Sequence, residues 1–213
     1  MAEDTPQPQK VYLAIDIEKG GDSQSAHPLL AIGVCLGSGG REPRVLEKRT
    51  WCLSPFPGQT MCPRCVAEFW SEFPALLERI RAEAVEPLAG LASFDEWLTG
   101  LHARYAPASI ELLSDNPAYD IGTLDGVLSA RGIRTLPVRY LGDGAYRSIG
   151  DPSEMVKGQG TKAKVGTWAG ARADHDHWPE NDAEYIYWQY IGARAVRDQL
   201  AAGASLAEIH LPD

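Results

Sequence analysis

Three strand-like runs in quick succession constrain the fold more than any other feature of this chain. "VYLAIDI" (residues 11–17), "HPLLAIGVCLG" (27–37) and "RVLEKRTWCL" (44–53) are rich in branched and apolar residues. The glycine-rich turns "KGGDS" and "GSGGREP" separate them. Links this short leave no room for a helical crossover, so the runs predict an antiparallel meander. The first run carries an oddity. Asp16 lies inside it and Glu18 follows two residues later. Side chains alternate along a strand, so both carboxylates project to one face at the strand's end. Like charges so placed repel unless a cation sits between them; a strand ending in solvated acids is the alternative.

The rest of the chain changes period. Residues 64–84 are helical by pattern, with Phe69, Leu76, Leu77 and Ile80 on one stripe, and Pro74 is predicted to split or kink them. "SFDEWLTGLHARY" (93–105) predicts a helix capped by Ser93. "SIELLSD" (109–115) predicts a fourth strand, and 118–132 a helix closed by Gly132. "PVRYLG" (137–142) predicts a short fifth strand. A glycine-rich stretch, 143–178, shows little periodicity and reads as a long loop. The last helix spans 179–203, with Pro179 near its first turn.

Composition narrows the class. A chain of 213 residues, 44% hydrophobic and 23% charged, suits one globular domain over 11–213. Residues 1–10, "MAEDTPQPQK", read as a disordered leader without a signal peptide's apolar region. No apolar window is long enough to span a bilayer, so a cytoplasmic protein without membrane partners is expected. The net charge of -9 argues against binding nucleic acid through overall surface charge. It leaves open an enzyme whose acidic residues hold metal. Four cysteines, Cys35, Cys52, Cys62 and Cys65, are expected as reduced thiols. "MCPRC" is a C-x-x-C, but a zinc site needs Cys35 or His27 as well as Cys52 to join it. No thioredoxin-like unit surrounds it.

Two further acids fit the D-x-E pair. Asp120 enters the first turn of the helix after the fourth strand, with Asp115 at the strand's end as its local competitor. Asp182 lies in the first turn of the last helix, on a stripe with Ile186 and Tyr190. Packing that stripe on the sheet turns Asp182 inward.

At these points the sequence resembles the histidine-bearing (DEDDh) branch of the DEDD superfamily of 3′→5′ exonucleases. The motifs are Asp16-Ile17-Glu18; Asn116-Pro117-Ala118-Tyr119-Asp120 with Leu124 following; and His177 five residues before Asp182. The resemblance covers residues 11–200. It implies an RNase H-like α/β domain, a mixed five-stranded sheet flanked by helices. It implies two Mg²⁺ or Mn²⁺ ions held by Asp16, Glu18, Asp120 and Asp182, and two-metal hydrolysis of phosphodiester bonds with His177 as general base. His175 gives the wrong interval. The substrate implied is single-stranded RNA or DNA or short oligonucleotides, RNA slightly preferred. Candidate contacts are Ile17, Asn116, Phe69 and Trp70; between the two aromatics, Phe69 also fits the core stripe and Trp70 is the candidate stacking platform. Lys162 and Lys164, with Lys157 and Arg172, form a basic stretch suited to phosphates. The aromatic run "EYIYWQY" offers a homodimer interface. The alternatives are an RNase H-like endonuclease and a non-catalytic nucleic-acid or protein-binding module on the same fold. A glycosidase is disfavoured, since acids two apart on one strand face stand too close.

Overall fold

The computed structural model describes residues 10–40, 42–105, 109–133, 159–205 and 207–212. Strands β1 (Lys10–Lys19), β2 (Leu29–Ser38) and β3 (Val45–Cys52) form the expected antiparallel meander. Strand β4 (Ser109–Leu113) adds to β1 in parallel, giving the order β3-β2-β1-β4. Among the described residues the sheet has four strands; the predicted fifth, 137–142, lies outside them, as do the leader residues 1–9.

Alternation along β1 divides the interior. Val11, Leu13, Ile15 and Ile17 face a large core built with helices α3 (Pro87–Tyr105) and α4 (Asp120–Ser129). Tyr12 and Ala14 face the opposite side, where α6 (Pro179–Ala201) packs. Central β2 is buried along its whole length. Its α6 face reads Ala31, Gly33, Cys35, Gly37, all small. A methyl group at Gly33 would overlap the main chain of Pro179, and one at Gly37 the ring of Tyr187. Eight helical residues rise about 12 Å and four strand residues about 13 Å, so the helix runs alongside the strand in step. Gly33 is also the register partner of Asp16. The glycine therefore seats the first turn of α6 beside the acidic end of β1.

The helices differ from expectation at three places. A short α1 (Pro63–Cys65) runs into a π-helical turn (Val66–Trp70), and α2 (Pro74–Glu83) restarts at Pro74 as predicted. Helix α3 begins at Pro87 and not at Ser93, because Glu86 accepts the Ala89 N–H (2.8 Å) and Pro87 occupies the first turn. Ser93 instead accepts a hydrogen bond from Trp51 inside the helix. The predicted loop 143–178 contains α5 (Gln159–Gly170). Its glycines dilute the pattern, but Val165 packs on Ala193 and Val196 of α6, Ala169 is buried, and Trp168 lies over Gly192. The aromatic run that offered a homodimer interface packs partly within the chain, with Tyr185 and Trp188 half-buried. Tyr187 and Tyr190 are buried under the sheet, and Trp188 lies edge-on to Trp168.

Candidate active site

The acidic residues converge where β1 and β4 end and α4 and α6 begin. Asp16 and Glu18 lie on the α6 side of β1, as their spacing requires. Beyond β4, the buried Ser114 hydroxyl donates to an Asp120 carboxylate oxygen and accepts the Asn116 N–H at 3.0 Å. The Asp120 N–H closes the turn onto the Asn116 carbonyl, 2.9 Å. Oxygens of Asp16, Asp115 and Asp120 lie within 4.8 Å of one another, and this is the one cluster among the described residues with metal-ligand spacing. Asp115 and Asp120, competitors in the sequence, thus both reach Asp16. Asn116 is exposed beside them.

Asp182 arrives from α6. It is buried together with Ile186 and Tyr190 on the predicted stripe. Its Oδ1 accepts the His177 N–H, 3.1 Å. His177 adopts a left-handed backbone, φ 62°, rare for a non-glycine residue and concentrated at functional sites. Its Nδ1 lies 3.6 Å from Asp182 Oδ2, and its ring packs on Phe73 (4.5 Å) and Phe69 (5.3 Å). His175 Nε2 comes within 3.4 Å of the same carboxylate oxygen, while its ring stacks on Tyr185. Both histidines therefore flank Asp182.

Burial raises Asp16, Glu18, Asp120 and Asp182, and neighbouring carboxylates add to each shift. Burial pushes Asp16 well above the carboxylate range, and Glu18, Asp120, Asp182 and Asp115 add to the shift. Glu18 is raised to about 8, by burial first and then by Asp182 and Asp120. Burial raises Asp120 to about 7 against the Ser114 hydrogen bond, and Asp182 to about 6 against His177. Asp16 Oδ2 is buried and accepts no hydrogen bond. An orphaned carboxylate oxygen is rare in a protein interior. An array of hard oxygen donors that repel one another fits divalent cations such as Mg²⁺ or Mn²⁺.

Several neighbours escaped sequence reasoning. Lys19 is buried, its Nζ donating to Thr123 Oγ1 (3.1 Å) and lying 3.6 Å from the Tyr119 ring centre. It places a positive charge near Asp120, and burial lowers its pKa. Ser114 and Phe73 had no signal beyond a strand-end serine and a residue before proline. Of the expected substrate contacts, Trp70 and Ile17 present no open side chain and Phe69 adjoins His177. Trp70 is 2% exposed, its indole donating to the Lys19 carbonyl (3.1 Å), so it braces β1 from beneath and presents no open face. Half-buried Phe69 meets His177 instead. The Ile17 side chain is in the core. Lys164 donates to the Ile209 carbonyl beside the later turns of α6, and Arg172 to that of Pro212. Val196 of that cluster is 14 residues past Asp182, roughly 21 Å along the helix. Lys157 and the Lys162 side chain lie outside the described residues.

No protein-family model matches the sequence. No curated protein matches it either. Solved structures do match. The nuclease domain of 3′hExo, a DEDDh family member, bound to rAMP, aligns over 96% of both chains with a TM-score of 0.54 and 11% identity. This chain has the fold of that nuclease domain. Escherichia coli exonuclease I shares it, as a zinc-bound ssDNA complex (TM-score 0.57, 11% identity) and with a 5cy-dA13 oligonucleotide (0.58, 13%). Each of these two covers 91% of this chain, which spans only 43% of the exonuclease I chain. The four-stranded sheet described here is the RNase H-like, exonuclease-type sheet flanked by helices. No described helix is long and apolar enough to cross a membrane.

Proposed function

We propose that this chain is a divalent-metal-dependent 3′→5′ exonuclease acting on single-stranded RNA or DNA. One observation carries the reading. Asp16, Glu18, Asp120 and Asp182, scattered in sequence, interact through space at one end of the sheet, where Asp16 keeps a buried oxygen without a donor. The likeness to chains solved with ssDNA and rAMP supports the substrate class at the level of fold.

Asp16, Glu18, Asp120 and Asp182 would hold two Mg²⁺ or Mn²⁺ ions, with Asp115 within reach of Asp16 and Asp120. The chemistry such ions supply when bound is Lewis-acid charge at the scissile phosphate. His177 takes a proton from the attacking water. The water oxygen bonds to phosphorus, the P–O3′ bond breaks and the leaving O3′ takes a proton from solvent; the products are a nucleoside 5′-monophosphate and a strand one nucleotide shorter with a 3′-hydroxyl. Asp182 holds this residue through the His177 main-chain N–H, with Nδ1 turned to its carboxylate and Nε2 left for the proton. Phe69 and Phe73 hold the ring from the other side. Exposed Asn116 stands where it can meet the substrate strand.

The test is a 5′-labelled single strand incubated with and without Mg²⁺ or Mn²⁺. The expected result is metal-dependent shortening with release of mononucleotides. Asp16→Asn should lose at least about 10²-fold in rate, the scale of removing one group aimed at developing charge. Undiminished hydrolysis in excess EDTA, or release of internal fragments, would overturn the proposal.

A further inference from the structure

The C-x-x-C at residues 62–65 takes no part in the proposed hydrolysis, yet it is docked on the acidic strand. Cys62 is the N-cap of α1, with extended backbone (φ -65°, ψ 125°), and Cys65 stands three residues on, in the first turn. N-cap and N3 side chains face each other, the relation that lets a capping box form. The Val66 N–H closes the turn onto the Cys62 carbonyl at 2.9 Å. This arrangement falls within the Cα separations that a disulfide tolerates. The Cys62 side chain makes no capping hydrogen bond. Both thiols are half-buried and free, whereas Cys35 and Cys52 are buried in separate clusters of the interior.

The turn touches the two residues after Glu18. The Cys62 N–H donates to the Gly20 carbonyl at 2.7 Å. The Cys65 thiol donates to the Lys19 carbonyl at 3.9 Å, an oxygen it shares with the Trp70 indole. There is no slack between the segments: a methyl at Gly21 would fall 2.5 Å from both Cys62 Cβ and His27 Nδ1. Zinc is the competing use of two cysteines. Here His27 Nδ1 already accepts the Ser23 N–H (3.1 Å), Cys35 lies in another cluster, and among the described residues no group of three possible ligands at metal spacing includes a cysteine. Two ligands are left where a structural zinc needs four.

We propose that Cys62 and Cys65 form a reversible dithiol–disulfide couple that controls cation affinity at the acidic site; the control, though not the couple, rests on the metal-binding reading given above. An oxidant of the disulfide class, such as oxidised glutathione, supplies the balance. The two thiols lose two protons and two electrons as the internal S–S bond forms, and the oxidant's S–S bond is reduced to two thiols. Oxidation removes the Cys65 S–H, and with it one donor to the Lys19 carbonyl. It also tightens the turn against Gly20, so the backbone carrying Glu18 shifts and cations are held less well.

The experiment uses the full chain, reduced or treated with oxidised glutathione. Native-state alkylation should find both Cys62 and Cys65 unreactive after oxidation, with the intact mass lower by two hydrogens. Cys62→Ser and Cys65→Ser should each prevent that change. Calorimetry with Mn²⁺ should show affinity weakened about fivefold or more on oxidation, the lower range of coupling between sites. By reciprocity, bound Mn²⁺ should protect the dithiol from oxidation by the same factor. Both serine variants should bind Mn²⁺ with one affinity before and after oxidant. Glutathione adducts without an internal disulfide, or one zinc per chain lost in Cys62→Ser, would overturn the couple. A disulfide that forms without moving Mn²⁺ affinity would overturn the control alone. Reduced protein that binds no Mn²⁺ would refute the metal reading, and the control with it, whatever the thiols do.

Discussion

Helix α6 meets one face of one sheet at two places, and the two contacts are built on opposite principles. In its middle, Tyr187 and Tyr190 are buried with Tyr12, and the polar atoms have partners. The Tyr187 hydroxyl donates to the Ser38 carbonyl at 2.9 Å, and Arg194 donates to the Tyr12 hydroxyl at 2.5 Å. At its first turn, only a few residues away, Asp182 joins Asp16, Glu18 and Asp120 in burial, with one oxygen unpaired and every acid's pKa raised. The middle holds the helix on the sheet. The first turn opposes that packing and concentrates charge that cations can neutralise. Stability is placed in one segment so that another can remain strained.

Changes at the first turn should therefore move activity strongly, and changes in the middle should move stability alone. The largest effect is expected at His177. His177→Ala should lose about 10²–10⁴-fold in turnover, the range for a lost general base, with substrate affinity little changed. His175→Ala should be mild in steady-state assays, although it touches the same Asp182 oxygen. Reversal of the two would transfer the base to His175 and break the assignment of His177.

The pH dependence of folding sharpens the contrast. Glu18 and Asp120 rise from ordinary values of 4.5 and 3.8 to about 8 and about 7. A carboxyl group raised in the folded state favours the protonated fold. Its contribution is complete below the unfolded value and is lost as pH climbs through the folded one. The cation-free protein should thus lose melting temperature from about pH 4 to about pH 8. Saturating Mn²⁺ should remove most of that slope, because bound cations favour the ionised acids. A flat profile without cations would show that the acidic end is not strained.

Gly33 joins the two regions. Gly33→Ala forces a methyl into the Pro179 main chain, an overpacking expected to cost about 1–3 kcal/mol. Because the displaced turn carries Asp182, activity should fall together with the melting temperature. The smallest effect belongs to the middle of the helix. Tyr187→Phe removes the donor to Ser38 and should destabilise by about 1 kcal/mol in denaturant titration, with hydrolysis unchanged.

The legible parts of this protein were those governed by local period. Alternation alone put Asp16 and Glu18 on one face of β1, and the 3.6-residue repeat put Asp182 on the stripe with Ile186 and Tyr190. Proline and glycine marked the restart at Pro74 and the end of α4, where Gly132 takes a positive φ of 74°. What the sequence could not settle were choices between neighbours whose local patterns are equivalent. Phe69 and Trp70 are adjacent aromatics, and only the packing of α2 and Trp178 decided which is enclosed. Asp115 and Asp120 are both acids near one strand end, and the Ser114 bridge with its turn brings both to Asp16. Helix α5 lacked a clear period because its stability comes from α6 beneath it. Period is a property of the backbone and is written in order along the chain. Burial, pairing and the raised pKa values depend on which distant segments arrive alongside, and that is decided only when the sheet and α6 close together.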